Sequence, residues 1–176
     1  AADEYLRTYI DIAKRLDEQW MVVHAGYHFG DFETRRDASL ERLQRTVDYA
    51  EKQNVQLLLE SMNKEPEDAE VHYLGHNVEE CKWYFDRLQS PHMGWSFTIN
   101  HAHLVPEGID GFLDSLDFSR CKEVRVADCF RNGKEIHLKP GEGDLPFGDV
   151  FKRIEGLEFT GHYTNAFGTW DDRVAG

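Results

Sequence analysis

The sequence lacks several features that would assign it to a familiar class. No apolar run approaches the ~20 residues of a membrane-spanning helix, so we expect no membrane partner. Residues 1–4 are acidic, without the basic start and apolar stretch of a signal peptide. Lys and Arg number 20 against 33 Asp and Glu, and the formal net charge of −13 argues against a nucleic acid partner, which requires clustered cations.

The cysteines Cys81, Cys121 and Cys129 form no recognisable framework. Their number is odd, and no pair has C-x-x-C spacing, which argues against disulfides and against a structural zinc knuckle. We expect three buried or half-buried thiols and a reducing, cytoplasmic setting.

Nucleotide-binding motifs are missing as well. Neither G-x-G-x-x-G after the first predicted strand nor G-x-x-x-x-G-K-[ST] occurs, so a mononucleotide-binding fold has little support. The chain has 176 residues, which suggests one domain, and its hydrophobic content of 40% is sufficient for a packed core.

Hydrophobic periodicity predicts helices that alternate with short apolar strands. The predicted helices cover 3–17, 37–53, 78–88, 107–116 and a segment that begins at 146. The predicted strands cover 20–24, 55–59, 95–99, 124–127 and 158–164, and 61–76 is predicted to be one long loop. This alternation is typical of parallel strands with crossover helices, and it leaves either an open doubly wound sheet or a barrel.

Polar side chains collect at the carboxyl ends of these strands, where parallel α/β proteins carry their chemistry. The residues concerned are His24, Glu60, Asn100, His103 and Asp128, followed in the next loop by Glu135 and His137. Converging imidazoles and carboxylates suit Mn²⁺, Zn²⁺, Fe²⁺ or Co²⁺. Taken singly, each of these residues also fits a structural role. The segment 141–143, Gly-Glu-Gly, favours a tight turn or, alternatively, backbone N–H groups that hold an anion.

Five segments occur in the order found in the xylose isomerase-like TIM barrels, and the sequence resembles that superfamily. They are VVHAG at 22–26, LLE at 58–60, INHAH at 99–103, VRVAD at 124–128 and HLKPGEG at 137–143. The resemblance implies a (β/α)₈ barrel, of which residues 1–176, as a single domain, match about the last five βα units. Because such a barrel typically needs about 250 residues, it also implies that about three N-terminal units are absent. Five strands alone would leave an open edge that favours a homo-oligomer.

Members with one metal use a Glu, an Asp, a His and a Glu from the last four strands as ligands. By the resemblance, the first matches Glu60. The other positions match neutral Asn100, the cation Arg125, and Asn165 or Ala166. One of the four ligands is therefore kept, and the resemblance leaves the standard metal site incomplete.

Histidines known from the same superfamily are present. By the resemblance, His103 matches the histidine three residues after the Asp, His137 matches a loop histidine that holds a further metal in the endonuclease IV group, and His24 matches a histidine of an earlier strand. Two arrangements are left open. Either a displaced divalent metal uses Glu60, His103 and His137, or Arg125 supplies the positive charge.

The superfamily includes sugar isomerases, epimerases and dehydratases, and we expect an enzyme that removes a proton next to a carbonyl of a small sugar-like substrate. Glu60 is the expected base, with a pKa raised toward neutral by burial, His103 or His137 the partner acid, and Arg125 or a metal the stabiliser of the oxyanion. The expected substrate-binding residues are His24, Asn100, Asp128 and Arg131. The alternatives are a non-catalytic barrel with a degenerate site and a DNA-repair nuclease of the endonuclease IV kind.

Overall fold

Helices and strands alternate along the chain as the periodicity predicts. The computed structural model describes residues 2–131 and 134–168. Its helices are α1 (Ala2–Arg15), α2 (Phe32–Gln53), α3 (Val78–Phe85), α4 (Ile99–His103), α5 (Gly108–Ser115) and α6 (Phe147–Glu155). Its strands are β1 (Trp20–Val23), β2 (Tyr27–His28), β3 (Gln56–Glu60), β4 (His72–Tyr73), β5 (Met93–Thr98), β6 (Cys121–Val126) and β7 (His162–Asn165). None of the described helices has the length and apolar composition that a membrane span needs.

Five strands form one parallel sheet in the order β1-β3-β5-β6-β7, so each strand pairs with the next long strand of the chain. The sheet is strongly curved. Trp20 on one edge strand stacks on His162 of the other edge strand, with ring centroids 4.9 Å apart. A parallel sheet that curls until its edges meet across the interior is part of a barrel, which confirms the predicted α/β barrel architecture over its last five units.

The two faces of the sheet differ in chemistry because successive side chains of a strand point to opposite sides. The outer face packs on the helices and carries the hydrophobic core, for example Leu57, Leu59, Trp95 and Phe97, none more than 2% exposed. The inner face is polar toward the carboxyl ends of the strands, which is where the candidate site lies.

Helix boundaries follow local capping. The side chain of Asn77 accepts a hydrogen bond from the backbone N–H of Glu80 at 2.9 Å and donates one to its carboxylate, so Asn77 caps the start of α3. By contrast, α2 begins at Phe32 rather than at 37, because its first turns are charged and carry little of the apolar spacing used for the prediction.

Two other expectations about local structure are wrong. The segment 61–76 is not one loop, because β4 within it pairs antiparallel with β2. Two-residue strands are too short for periodicity to detect. In addition, the strand predicted over 95–99 does not reach residue 99, since β5 covers Met93–Thr98 and Ile99 begins the helix α4.

The three cysteines are buried and free, as expected. Burial raises the pKa of Cys121 and of Cys129 to about 12 and also raises the pKa of Cys81. All three thiols are therefore protonated and packed rather than reactive.

Candidate functional site

Glu60 is the last residue of β3 and the centre of a polar cluster on the inner face. It is 5% exposed. Its Oε2 is 3.1 Å from Nε2 of His24, and its Oε1 accepts a hydrogen bond from the Thr98 hydroxyl at 2.5 Å. Nε of Arg125 lies 3.4 Å from the same Oε1. The sheet register explains the cluster, because these residues end four neighbouring strands at one rim.

The pKa of Glu60 is lowered to about 2, in contrast to the expected rise. Burial alone raises it, but the hydrogen bond to His24, the charge of Arg125 and the Thr98 hydroxyl together outweigh burial. The carboxyl group is therefore ionised at neutral pH, and both of its oxygens are occupied by protein donors.

Arg125 joins this carboxylate to a second one. Its NH1 donates to Oε1 of Glu123 at 3.3 Å, two residues earlier on the same face of β6. Glu123 is 6% exposed and also accepts from the Ser96 hydroxyl at 2.8 Å, from the His162 ring at 3.0 Å and from the Thr164 hydroxyl at 3.3 Å. The inner face thus holds two buried carboxylates on either side of one guanidinium.

A group of potential metal ligands lies beside this cluster. Nε2 of His137 is 2.6 Å from Oε1 of Glu135 and 3.3 Å from Nε2 of His101, and His101 is 3.7 Å from the same carboxylate oxygen. The three ligand atoms lie within 4.8 Å of one another. The pKa of Glu135 is lowered, and the main cause is its contact with His101. Burial acts in the opposite direction, and His137 lowers the pKa further.

The backbone orients both imidazoles of this group. Nδ1 of His101 is 2.9 Å from the carbonyl oxygen of Ser61, and Nδ1 of His137 contacts the carbonyl oxygen of Ala166. A proton on each Nδ1 leaves both Nε2 lone pairs free to bind a cation, and Nδ1 contacts of this kind are typical of histidine ligands. The residues present therefore fit a divalent cation.

The expected metal set of Glu60, His103 and His137 needs correction. His103 points away from the cluster and is 2.9 Å from Oδ1 of Asp144. In α4, two residues of separation turn a side chain to a different side of the helix, so His101 reaches the rim and His103 does not. Glu60 is already occupied by His24 and Thr98.

Arg131 is also outside the cluster. Its backbone N–H donates to Asp144, and its guanidinium donates to the carbonyl oxygen of Pro106. It therefore belongs with buried His103 to a separate group around Asp144, and neither residue contacts the rim as expected.

Asn100 is fully buried in α4, where its side chain donates to the carbonyl oxygen of Ile136. The rim position expected for it belongs to Thr98, which ends β5 on the inner face and hydrogen-bonds Glu60. If the match to the family is shifted back by two residues, Thr98 instead of Asn100 takes the place of the Asp ligand. His101 instead of His103 then takes the place of the histidine three residues after it.

Asp128 has a structural role rather than the expected contact with substrate. It is 1% exposed. Its two oxygens accept four backbone N–H groups at 2.8–3.1 Å, those of Cys129, Gly141, Gly143 and Leu145. The anion held by the Gly-Glu-Gly segment is thus a side chain of the protein itself. A Cβ at Gly143 would come within 2.4 Å of this carboxylate, so the segment fits around Asp128 only with glycine there.

Of the expected site residues, the structure brings together His24, Glu60 and Arg125, and places His137 in the adjacent group. Asn165 and Ala166 contribute no carboxylate. Sequence reasoning missed Thr98, His101, Glu123 and His162. Alternation along β6 and β5 was the available signal, because Glu123 precedes Arg125 by two residues and Thr98 shares a face with Ser96.

Comparisons with known proteins agree with this geometry. The family model described as xylose isomerase-like TIM barrel matches residues 1–170. A D-tagatose 3-epimerase-like protein has a similar structure, with a TM-score of 0.81 and 25% identity, over 96% of this chain and 63% of that chain. D-allulose 3-epimerase from Methylomonas sp. gives a TM-score of 0.75 at 18% identity, over 96% of this chain and 57% of that chain.

A curated relative, an uncharacterized protein of Methanocaldococcus jannaschii, is 27% identical over 163 residues, which are 90% of this chain and 54% of that protein. The chain thus spans between half and two thirds of the length of these relatives. The family match covers nearly the whole chain, and the parallel strands with their polar inner rim are consistent with it. The chain belongs to the xylose isomerase-like TIM barrel family.

Proposed function

We propose that the protein is an isomerase or epimerase of a small, uncharged sugar and that it moves a proton next to the carbonyl group. The observation that carries this proposal is the contact of ionised Glu60 with both His24 and Arg125 at the inner rim. The likeness to the D-tagatose 3-epimerase-like protein supports the substrate class.

His24 is the group proposed to move the proton. Glu60 is a weak base at neutral pH because its pKa is about 2 and both of its oxygens are engaged. The side chain of His24 is 51% exposed. With its Nε2–H donating to Glu60, its Nδ1 carries a lone pair that a bound sugar can reach. Glu60 then orients the ring, as the carboxylate does in other His–carboxylate pairs.

The proposed reaction balances within the sugar. Nδ1 of His24 takes the proton from the carbon next to the carbonyl, and the C–H electron pair becomes the C=C bond of an enediolate. The carbonyl π pair moves to oxygen, where the Arg125 guanidinium stabilises the negative charge. Return of the proton to the former carbonyl carbon gives an isomer, with the hydroxyl proton of the deprotonated carbon passing to the oxyanion as the new carbonyl forms. An epimer forms when a proton from solvent instead reaches the opposite face of the deprotonated carbon.

A divalent metal is proposed at His101, Glu135 and His137, which the geometry of their ligand atoms supports. Mn²⁺, Zn²⁺, Fe²⁺ and Co²⁺ accept this mixture of imidazole and carboxylate ligands. When bound, such an ion supplies Lewis acidity that polarises a carbonyl oxygen.

The test is deuterium incorporation, because the His24 side chain is 51% exposed and the proton that it takes can exchange with solvent before it returns. The purified protein, supplied in turn with Mn²⁺, Zn²⁺, Fe²⁺ or Co²⁺, is incubated in D₂O with D-tagatose, D-allulose or L-ribulose, and the C–H groups next to the carbonyl are followed by NMR. We expect exchange in at least one sugar. His24→Asn should abolish it, whereas the control His92→Asn, before β5 at the opposite end of the sheet, should keep it.

Two outcomes contradict the proposal. The absence of exchange in all three sugars favours the non-catalytic barrel. Cleavage of a duplex with an abasic site, again without sugar exchange, favours the nuclease.

A further inference from the structure

Glu123 lies one layer below the rim and has no role in the proton transfer described above. We propose that Glu123 is a positioning residue that holds the Arg125 guanidinium against Glu60, so that one nitrogen of the guanidinium remains free for the oxyanion of the reacting sugar. This inference rests on the proposed function.

The three guanidinium nitrogens have different surroundings. NH1 donates to Glu123 at 3.3 Å, and Nε is buried with the carboxylate of Glu60 3.4 Å away. NH2 makes no hydrogen bond to any residue in the described ranges 2–131 and 134–168. Because the Arg125 side chain is 28% exposed, NH2 is the nitrogen available to a ligand on the inner face.

Glu123 is itself fixed by donors from the two strands that flank β6. Ser96 of β5 donates to its Oε1, and His162 and Thr164 of β7 donate to its Oε2. A buried carboxylate with this many donors has one orientation, so it transmits the geometry of the sheet to Arg125. Preorganised donors of this kind are most effective where charge develops during the reaction.

The charges around Arg125 indicate at which stage of the reaction it contributes most. Among the described strand residues, Arg125 is the one Lys or Arg on the inner face, and two buried carboxylates flank it. An uncharged sugar therefore gains only an ordinary hydrogen bond from NH2. The oxyanion forms as the proton leaves, so the interaction strengthens in the transition state, and its loss should lower kcat more than it raises KM.

The main experiment uses Glu123→Gln, which keeps the shape of the side chain and removes its charge. In the deuterium exchange assay we expect kcat to fall by about tenfold to a hundredfold, with KM changed by less than about threefold. The second measurement is the rate at which the Nε–H proton of Arg125 exchanges with solvent, followed by NMR in ¹⁵N-labelled protein. The signal of this proton is assigned by its loss in Arg125→Lys. In Glu123→Gln the proton should exchange at least about tenfold faster, because the ion pair is looser. Glu155→Gln, an exposed carboxylate of α6, is the matched control and should change neither quantity.

The NMR readout separates failure of this inference from failure of the proposed function. If no sugar exchanges, the proposed function fails, and the Nε–H rate of Arg125 still decides whether Glu123 positions it. A folded Glu123→Gln with an unchanged Nε–H rate, or with equal losses in affinity and turnover, overturns the inference. If Glu123→Gln does not fold, the alternative variant is Thr164→Val, which keeps the shape of the threonine and removes one hydrogen-bond donor to Glu123. It should lower kcat and speed up Nε–H exchange in the same way, by smaller factors. No change in either quantity would overturn the inference.

Discussion

Glu60 should make the stability of the protein depend on pH in the acidic range. Its carboxyl group has a pKa of about 2 in the folded protein and an ordinary value of 4.5 when exposed. Because the folded-state value is the lower one, ionised Glu60 stabilises the fold at neutral pH. This contribution is present above pH 4.5 and is lost as the pH falls toward 2.

The contribution follows from the two pKa values. It amounts to about 3 kcal/mol at pH 7, and about 2 kcal/mol of it is lost by pH 3. Little is lost to screening by solvent, because the Glu60 side chain is 6% exposed and its partners are fixed at 2.5–3.4 Å. Glu60→Gln cannot ionise, so it lacks this pH-dependent contribution.

The assay is urea unfolding of the wild type and Glu60→Gln between pH 7 and pH 3. Other acidic groups titrate in both proteins and cancel in the difference between their free energies of unfolding. That difference should shrink by about 2 kcal/mol between pH 5 and pH 3, whereas the difference between the wild type and the exposed control Glu155→Gln should stay constant. A difference for Glu60→Gln that does not vary with pH would refute the proposed contacts with His24 and Arg125.

Three further predictions concern structure and metal binding. Asp128→Asn should lower the free energy of unfolding by about 2–5 kcal/mol in urea titrations, because an amide leaves two of the four backbone N–H groups around this buried side chain without an acceptor. A loss below about 0.5 kcal/mol would contradict the backbone contacts described. Asn77→Ala should cost about 1 kcal/mol in the same measurement through loss of the cap of α3, and an unchanged value would show that the cap is dispensable. The wild type should bind Co²⁺ and give visible d–d absorption bands that EDTA removes. His101→Ala should lose those bands, and His103→Ala, the matched control, should keep them.

Much of the fold could be predicted because strand burial and helix amphipathicity are local patterns. The apolar run from Leu57 to Leu59 lies in a buried strand, and Asn77 with Glu80 marks the start of a helix. The pairing of β2 with β4 could not be predicted, because four residues in two loops carry no period and their association depends on tertiary structure.

The candidate site could be predicted in part. Strand-end position was sufficient for His24 and Glu60, since a parallel sheet gathers its carboxyl ends at one rim, and the family resemblance added Arg125. Strand-end position failed for Asn100 and His103, because the strand before them ends one residue earlier than predicted and the chain turns into α4. The direction of the Glu60 pKa shift also required the structure, because burial and neighbouring charges act in opposite directions and only distances show which effect is larger.

The agreement between strand order and chain order bears on how the protein assembles during its synthesis. Each βα unit can dock on the one made just before it, so the sheet can grow one strand at a time as the chain leaves the ribosome. Glu60 is synthesised early, but its cationic neighbour Arg125 belongs to β6 and arrives much later. Until then an ionised carboxylate would be costly to bury, and the nascent rim stays hydrated. Water can therefore leave the rim only once β6 has joined the sheet.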